Sequence, residues 1–426
     1  METKTIAIIL FALTYLALLI FPKIRAYIAL ASAAIFVILG ILPVNQVLGT
    51  VDWNVILMIA GTMGIVTLFI ESKMPSLLAD FIIEKTPNVK WAIISLALFA
   101  GFISAFVDNV ATVLMVAPVA LTIAKKLNMS PVPSVIAIAI SSNLQGAATL
   151  VGDTTSILLG GHTGMNFLDF FFFRGKPSLF WIVELGALAS TVILLVIFKK
   201  EKQPVKTMER TVVTDYFPTV LLVGIVVLLI IASFIPMEYK PEIINGLICV
   251  TLMVIGVIRK FIVEKDTKVF KDVLKEIDYT TILLLAGLFI VIGGIKEAGV
   301  IEDISKLFIK ASKDNVFIIF TLLVWASVLI SAFIDNIPYV ATMLPVTQGI
   351  ATALNIDPYI LYFGLLIGAT LGGNITPIGA SANITGIGIL RKEGYEVSAK
   401  QFMKISVPFT LAAVVTGYVL TWLIWS

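Results

Sequence analysis

The sequence predicts an all-α polytopic membrane protein of two inverted-topology repeats, with about ten transmembrane helices, two re-entrant hairpins and broken helices. Three observations predict this fold. Over 426 residues the composition is 59% hydrophobic and only 13% charged, which excludes an ordinary soluble domain. Apolar stretches of about 20 residues, the length of a membrane span, recur along the whole chain. Finally, a six-residue phrase occurs twice, as Ser104–Asn109 (SAFVDN) and Ser331–Asn336 (SAFIDN).

The two phrases belong to a longer internal repeat. Asp335 follows Asp108 by 227 residues, and the same offset relates Thr149 to Thr376. With a slip of one residue, VDWNVIL at 51–57 matches IDYTTIL at 277–283. Because Pro, Asp and Asn carry many of the matches, apolar composition alone does not explain them. The chain is therefore predicted to contain two related halves.

The predicted boundaries follow from the repeat and from the basic segment between its copies. The first repeat covers 1–198, a cytoplasmic linker covers 199–214, and the second repeat covers 215–426. Scaffold helices are expected at 1–50 and 215–275, and repeat cores at 51–198 and 276–426. Short amphipathic stretches at 74–86 and 300–312 are expected to lie along the membrane interface.

Positive charge predicts the orientation of the two repeats, since loops rich in Lys and Arg stay in the cytoplasm. With each Asp-Asn pair at the tip of a re-entrant hairpin, 22 of the 30 Lys and Arg residues fall in cytoplasmic loops. The first repeat then begins outside and the second inside, so the repeats are inverted and both termini lie outside. Cysteines introduced at Lys206 and Lys268 should accordingly react from the cytoplasmic side.

Each hairpin tip combines one carboxylate with one carboxamide. Ionisable residues at membrane depth are costly, so they mark functional sites. A purely structural alternative is that both Asp side chains cap helices, but Ser or Asn would do so at lower cost. Oxygen ligands of this kind suit a hard cation or a proton. We therefore predict Na⁺ or H⁺ as the coupling ion, with a candidate Na⁺ site at Asp108, Asn109, Asp335 and Asn336.

A second break is predicted after each hairpin, in segments 141–161 and 368–388, which are rich in Gly, Thr and Asn. Unwound backbone exposes carbonyl oxygens, and Pro377 frees one more. Close helix packing through small residues is the alternative, and it accounts for the glycines only. Asp153 has no counterpart, because residue 380 is Ala. The further candidate binding residues are Thr112, Asn143, Thr149, Asp153, Thr154, Asn374, Thr376, Ser381 and Asn383.

Other classes of function lack support in the sequence. There is no nucleophile–base pair, phosphate loop or metal-spaced His/Cys set, so neither a catalytic site nor a cofactor is predicted, and the protein is not expected to be an enzyme. A net charge of only +3 gives no reason to expect nucleic acid as a partner. The expected partners are the lipid bilayer and a small ion or anion substrate. The expected location is the plasma or inner membrane, with multiple spans.

These motifs resemble the ion transporter superfamily, which includes arsenite permeases (ArsB), sodium/proton antiporters (NhaD), citrate and dicarboxylate carriers and the pink-eyed dilution (P) protein. The resemblance covers almost the whole chain and is closest to prokaryotic relatives of the P protein. It is strongest in four segments: 104–119, 148–157, 331–346 and 372–384. It implies a scaffold, a mobile transport part, elevator-type alternating access and a homodimer. The dicarboxylate carriers differ by having Ser-Asn-Thr at the tips.

The resulting functional prediction is a secondary active transporter of a small ion, oxyanion or weak acid. Coupling to Na⁺ or H⁺ would occur through the two Asp-Asn pairs, and Na⁺/H⁺ exchange is the leading activity. Three alternatives remain open: an arsenite-type efflux permease, a Na⁺-coupled di- or tricarboxylate carrier, and an ion channel. If the tips carry the coupling ion, replacing Asp108 or Asp335 with Asn should abolish coupled transport.

Overall fold

The computed structural model describes residues 3–127, 129–204, 210–236, 238–265, 268–313 and 315–426. The helices of the first half are α1 (Thr3–Ile20), α2 (Arg25–Ile38), α3 (Val47–Thr50), α4 (Trp53–Glu71), α5 (Met74–Glu84), α6 (Val89–Ser104), α7 (Asn109–Lys126), α8 (Val132–Gly146), α9 (Thr154–Thr163) and α10 (Leu179–Ile197). Short 3₁₀ turns lie at Pro22–Ile24, Val44–Gln46 and Leu168–Phe170. A small hairpin of β1 (Phe172–Phe173) and β2 (Lys176–Pro177) precedes α10.

The second half has the same order of helices as the first. Its helices are α11 (Phe217–Ser233), α12 (Ile244–Glu264), α13 (Lys268–Glu276), α14 (Tyr279–Glu297), α15 (Val300–Ser312), α16 (Val316–Ser331), α17 (Asn336–Leu354), α18 (Tyr359–Leu366), α19 (Ser381–Lys392) and α20 (Ala399–Trp425). A π-helical segment, Ile367–Leu371, continues α18.

The predicted membrane fold is confirmed. Among the described residues, eight helices are long and apolar enough to cross a membrane: α1, α4, α7, α10, α12, α14, α17 and α20. Three shorter apolar helices accompany them: α6, α11 and the α18 segment with its π-helical extension. Helices α5 and α15 occupy the two segments predicted to be amphipathic. The inverted orientation of the halves and their exact boundaries stay predictions.

Equivalent polar residues begin equivalent helices in the two halves. The carboxylates of Asp52 and Asp278 each accept a backbone N–H at 3.0 Å, at the start of α4 and of α14. Asn88 and Asn315 cap α6 and α16 in the same way. A side-chain acceptor satisfies N–H groups that have no partner within the first helical turn. The repeated caps therefore explain why the same helices form twice.

The halves pack crosswise, because the second helix of each half lies on the first core helix of the other. A Cβ added at Gly61 in α4 would lie 2.4 Å from the Cys249 carbonyl carbon in α12. Likewise, a Cβ added at Gly287 in α14 would lie 2.6 Å from the Ala29 carbonyl carbon in α2. Glycine permits this close approach of two helix backbones. The two close contacts make α2 and α12 equivalent in the packing.

The end of the predicted linker docks on α5. Arg210 donates two hydrogen bonds of 2.8 Å to the carboxylate of Glu84, and the N–H of Thr211 donates to Asp80 at 2.8 Å. The Arg210 guanidinium lowers the pKa of this exposed carboxyl group below its usual value. Lys206, one of the two labelling positions predicted above, lies outside the described residues.

Candidate functional site

Each predicted hairpin tip is a short turn between two helices. After α6 ends, Asp108 caps α7 by accepting hydrogen bonds from the N–H groups of Val110 and Ala111, at 3.0 and 3.1 Å. Asp335 caps α17 by accepting from the N–H of Ile337 at 3.1 Å. Both aspartates are therefore helix caps. Capping by one oxygen leaves the second carboxylate oxygen available to another partner.

The predicted second breaks are present, but they are shorter than the polar segments that predicted them. The first lies at 147–153, between α8 and α9, and the second at 372–380, between the π-helical segment and α19. The Thr149 hydroxyl donates to the carbonyl of Ala105, and that of Thr376 donates to the carbonyl of Ala332. Each break is thereby tied to the tip of its own half, so these threonines hold backbone in place.

Glycine at one position in each break permits this contact with the tip. A Cβ added at Gly152 would lie 2.5 Å from the carbonyl oxygen of Gly146 and 2.7 Å from that of Ala105. At Gly379 it would lie 2.5 Å from the carbonyl oxygen of Gly373 and 2.8 Å from that of Ala332. Any larger residue would push the break away from the tip.

Asn383 donates hydrogen bonds to backbone carbonyl groups that have no helical partner in the second break. Pro377 has no N–H to donate, and the amide of Asn383 donates instead to the carbonyls of Gly373 and Thr376, each at 3.1 Å. Sequence reasoning placed a freed carbonyl near Asn374 and Thr376 as a ligand. In the structure the side chain of Asn383 uses these carbonyls, so Asn383 maintains the break.

A buried amide cluster joins the two halves behind the tips. The Nδ2 atom of Asn143 donates to the carbonyl of Thr370 at 2.8 Å and to Oδ1 of Asn374 at 3.1 Å. Nδ2 of Asn374 donates to the carbonyl of Ile140 at 2.9 Å, and Nδ2 of Asn109 donates to Oδ1 of Asn143 at 3.1 Å. Satisfied networks of buried polar groups fix one arrangement of the surrounding helices.

Both tips face one cavity of about 180 Å³. Six predicted site residues line it: Asp108, Asn109, Asp153, Thr154, Asn336 and Ser381. Sequence reasoning missed two further acids that line it, Glu276 and Asp278, together with the neighbouring Thr281. The match between VDWNVIL and IDYTTIL marked Asp278 as a repeated acid, but nothing in that match placed it beside the tips. Its carboxylate accepts from both the N–H and the hydroxyl of Thr281.

Asp335 lies at the edge of this group and forms an ion pair that the sequence did not predict. Its Oδ2 atom accepts from a guanidinium nitrogen of Arg25 and from the hydroxyl of Ser381, the latter at 3.4 Å. The side chains of Arg25 and Asp335 are only 18% and 16% exposed. Arg25 is one of the 22 basic residues that the charge pattern assigned to cytoplasmic loops. No pattern in the sequence connects it to a residue 310 positions away.

The remaining predicted residues have other places. Asn143 and Asn374 form the amide cluster, while Thr149, Thr376 and Asn383 hold the breaks. Thr112 is fully buried, and its hydroxyl has no hydrogen-bond partner among the described residues. The Nδ2 atom of Asn336 is also buried without such a partner, although this residue lines the cavity. Of all the predicted residues, the tip residues other than Asp335 and the residues at the starts of α9 and α19 line the cavity.

The described residues include no group of three or more His, Cys, Asp or Glu side chains placed to hold a metal ion. A Na⁺ ion near a tip would therefore need amide, hydroxyl or backbone oxygens in addition to carboxylates, which suits this hard cation.

A second cavity, of about 330 Å³, corresponds to the first through the repeat. The α4 residues Met63, Val66, Thr67 and Ile70 line the first cavity, and the α14 residues Phe289, Ile292, Gly293 and Lys296 line the second, each 226 positions later. Asp278 in the first corresponds to Asp52 in the second. The cavities differ in depth, since the second reaches Ala341, Leu344 and Pro345 in α17 but not the tips.

The comparisons with known proteins agree with this arrangement. The family model described as citrate transporter, CitMHS, matches residues 15–368. The chain belongs to the citrate transporter (CitMHS) family. Rv2685 of Mycobacterium tuberculosis, described as an uncharacterized transporter, is 30% identical over 412 residues and covers 94% of both chains. The human P protein is 26% identical, with coverage of 98% of this chain and 59% of that protein.

Two solved structures show the same fold. The YdaH transporter of Alcanivorax borkumensis aligns with a TM-score of 0.60 and 13% identity, over 88% of this chain and 86% of that one. MtrF of Neisseria gonorrhoeae aligns with a TM-score of 0.57 and 15% identity, over 89% and 82%.

The family and the fold together establish the class of this CitMHS member. It is a secondary membrane transporter of the CitMHS and P-protein type and a multi-pass integral membrane protein, rather than an enzyme. The predicted resemblance to the superfamily that contains citrate carriers and the P protein is confirmed.

Proposed function

We propose that this transporter binds its coupling cation, Na⁺ or H⁺, in the cavity between the two hairpin tips, and that Na⁺/H⁺ exchange is its activity. The charge of the cavity carries the proposal. Four carboxylates line it, those of Asp108, Asp153, Glu276 and Asp278, and among the described residues no Lys or Arg lines it. Carboxylates in low-dielectric surroundings either bind a cation or take up a proton. A cavity lined in this way can therefore bind either Na⁺ or a proton.

The second cavity supports alternating access as the mechanism. It is built from the equivalent residues of the other half, yet it ends at Ala341 and Leu344, short of Asp335. In the proposed cycle, the tips and breaks move relative to α4 and α14. The cavity at Asp278 then closes, and the cavity at Asp52 deepens until it reaches the tips. The charge distribution assigns the Asp278 side to the cytoplasm. Elevator-type motion and a homodimer belong to the same proposal, and the superfamily resemblance supports both.

Purified protein in liposomes tests this activity. Vesicles loaded with Na⁺ are diluted into Na⁺-free buffer, and an enclosed dye reports the internal pH. Exchange predicts acidification of the interior, because each Na⁺ that leaves admits protons, and the rate should saturate with internal Na⁺. Asp108→Asn should abolish the signal, whereas Asp357→Asn, at an exposed carboxylate, should not. A current that rises without saturation would instead indicate a channel, and absence of any Na⁺-linked proton movement would exclude exchange.

A cation-coupled carrier of citrate or a related carboxylate is the second candidate, and two observations favour it. The family model is that of citrate transporters. In addition, α7, α9, α17 and α19 all begin at the cavity, where Asn109, Thr154, Asn336 and Ser381 line it. Helix N-termini attract anions through their free N–H groups and dipoles. Uptake of radiolabelled citrate, driven by a Na⁺ or proton gradient into the same vesicles, would favour this candidate over simple exchange.

A further inference from the structure

The two hairpin tips are alike in sequence but unlike in charge. Asp108 caps its helix and has no ion-pair partner among the described residues. Asp335 caps its helix as well, but its second oxygen accepts from the guanidinium of Arg25. A largely buried carboxylate needs a counter-charge, and here the chain itself supplies one. Any coupling cation that approached Asp335 would have to compete with Arg25.

The packing of the halves shows that this arginine has no counterpart at the other tip. Gly287 contacts Ala29 of α2 in the same way that Gly61 contacts Cys249 of α12. With Ala29 aligned to Cys249, the position of Arg25 corresponds to Asn245, a neutral and buried residue. The repeat therefore does not supply a second arginine equivalent to Arg25, and only the second tip has such a charge beside its aspartate.

Two other differences between the halves also favour cation binding at the first tip. Asp153 lines the cavity, and its repeat counterpart is Ala380, so the first half contributes an additional acid. The amide nitrogen of Asn109 donates to Asn143, which leaves Oδ1 of Asn109 free to coordinate a cation. In Asn336, by contrast, the amide nitrogen is buried without a hydrogen-bond partner among the described residues, so no such bond holds its side chain. The first tip thus has an additional acid, Asp153, and an amide that is held in place, and the second tip has neither.

We infer that Arg25 takes the place of a coupling cation at Asp335, so that in the state described only the first tip, with Asp108 and Asp153, binds one. The inference builds on the proposed cation coupling and assigns that role to one half of the site. Arg25 is a positioning residue in this scheme, since it acts through Asp335. Arg25 is fixed at the start of α2, whereas Asp335 is on a hairpin of the proposed mobile part. Movement of the tips would therefore also separate this pair.

The test counts cations through their effect on stability. Ligands that bind the folded protein alone raise its stability, and the dependence on ligand concentration gives the number bound. Thermal unfolding in detergent is followed against Na⁺ concentration at fixed pH, and against pH at fixed Na⁺. The number of cations released on unfolding is then compared between variants.

Arg25→Gln should raise this number by one relative to the wild type, because Asp335 then requires an external cation. The double variant Arg25→Gln/Asp335→Asn should return to the wild-type number, and Arg25→Lys should retain it. Asp335→Asn alone should also leave the number unchanged, whereas Asp108→Asn should lower it by one. The exposed pair Arg174–Asp357 provides the matched control, and Arg174→Gln/Asp357→Asn should change nothing.

Two outcomes would overturn the inference. One is an Arg25→Gln protein that binds no more cations than the double variant. The other, which does not require Arg25→Gln to fold, is a loss in Asp335→Asn as large as that in Asp108→Asn. Failure of the proposed function gives a separate result, namely a wild type that neither Na⁺ nor acid stabilises and that shows no gradient-driven flux.

Discussion

Each half contributes two carboxylates to the cavity, and Asp153 is one that has no acidic counterpart in the repeat. Its Oδ2 atom accepts from the hydroxyl of Thr155 at 3.0 Å, and the Thr155 hydroxyl also contacts that of Thr370 in the other half at 2.9 Å. The second half has Ala380 at the equivalent position. Asp153 is thus an acid with no repeat partner, and it lies at the contact between the halves.

We predict that Asp153→Asn weakens cation coupling without unfolding the protein. Asn is nearly the same size and its side-chain oxygen can still accept from Thr155, so the packing is retained while one charged ligand is lost. The half-saturating cation concentration for flux should rise at least about tenfold, the effect of about 1.4 kcal/mol. The liposome assay measures this, with Asp169→Asn, in the 3₁₀ turn before β1, as the control. An unchanged half-saturating concentration would remove Asp153 from the cation site.

At the residue scale, the site residues that could be predicted from the sequence are mainly those that the internal repeat marks. The acids and amides of the tips, and Asp153, which breaks the repeat, were found from the sequence, and six of the predicted residues line the cavity. Asp278 also occurs twice, as the counterpart of Asp52, but its place beside the tips was not predicted. Arg25 was missed because its partner is distant in sequence and its position has no charged counterpart. A contact between unlike segments leaves no periodic signal, so only the three-dimensional packing identifies it.

At the scale of elements, the two helix breaks lie inside the segments predicted for them. The predicted segments are longer than the breaks themselves. The polar segment from 141 reads as a poor helix, but α8 continues to Gly146. Ser142 and Asn143 stay helical because their side chains have tertiary partners, the carbonyls of Asn109 and Thr370. Helix propensity is a weak preference that such contacts override. The unwound part is therefore limited to residues whose backbone faces a tip.

We predict that Gly379→Ala destabilises the protein, whereas Gly388→Ala does not. The new methyl group at 379 would meet three backbone carbonyl oxygens at 2.5–2.8 Å, and these cannot rotate away. A methyl group at Gly388 in α19 would meet nothing within 4 Å. Overpacking of this kind costs about 1–3 kcal/mol, so the unfolding temperature of Gly379→Ala in detergent should fall. Equal stability of both variants would mean that the break does not pack against the tip as described.

At the scale of the whole molecule, the crosswise packing of the halves is accompanied by two cavities built partly from equivalent residues. Each of α4 and α14 packs against a scaffold helix of the other half, and four α4 residues in the first cavity correspond to four α14 residues in the second. The parts between them, namely the hairpins and breaks, are joined through the amide cluster of Asn143 and Asn374. The alternating access proposed above requires these parts to move as one body relative to α4 and α14.

The equivalent positions Leu114 and Ala341 provide a test of this arrangement. Leu114 lines the first cavity, and Ala341, located 227 positions later, lines the second. In a Cys249→Ala background, which keeps the Cβ atom packed on Gly61, a single cysteine is placed at one position or the other. We predict that a membrane-impermeant thiol reagent labels Leu114→Cys from the same face as Lys268→Cys, and Ala341→Cys from the opposite face, because the repeats are predicted to be inverted.

The same variants report the transport cycle. A substrate or cation gradient that drives the tips towards the Asp52 side should slow labelling at Leu114→Cys and speed it at Ala341→Cys, since one cavity closes as the other deepens. Reaction of both cysteines from one face would contradict the inverted orientation. If the faces are opposite but the two rates never change in opposite directions, the tips do not move between the cavities, and the two openings would then belong to a static pore.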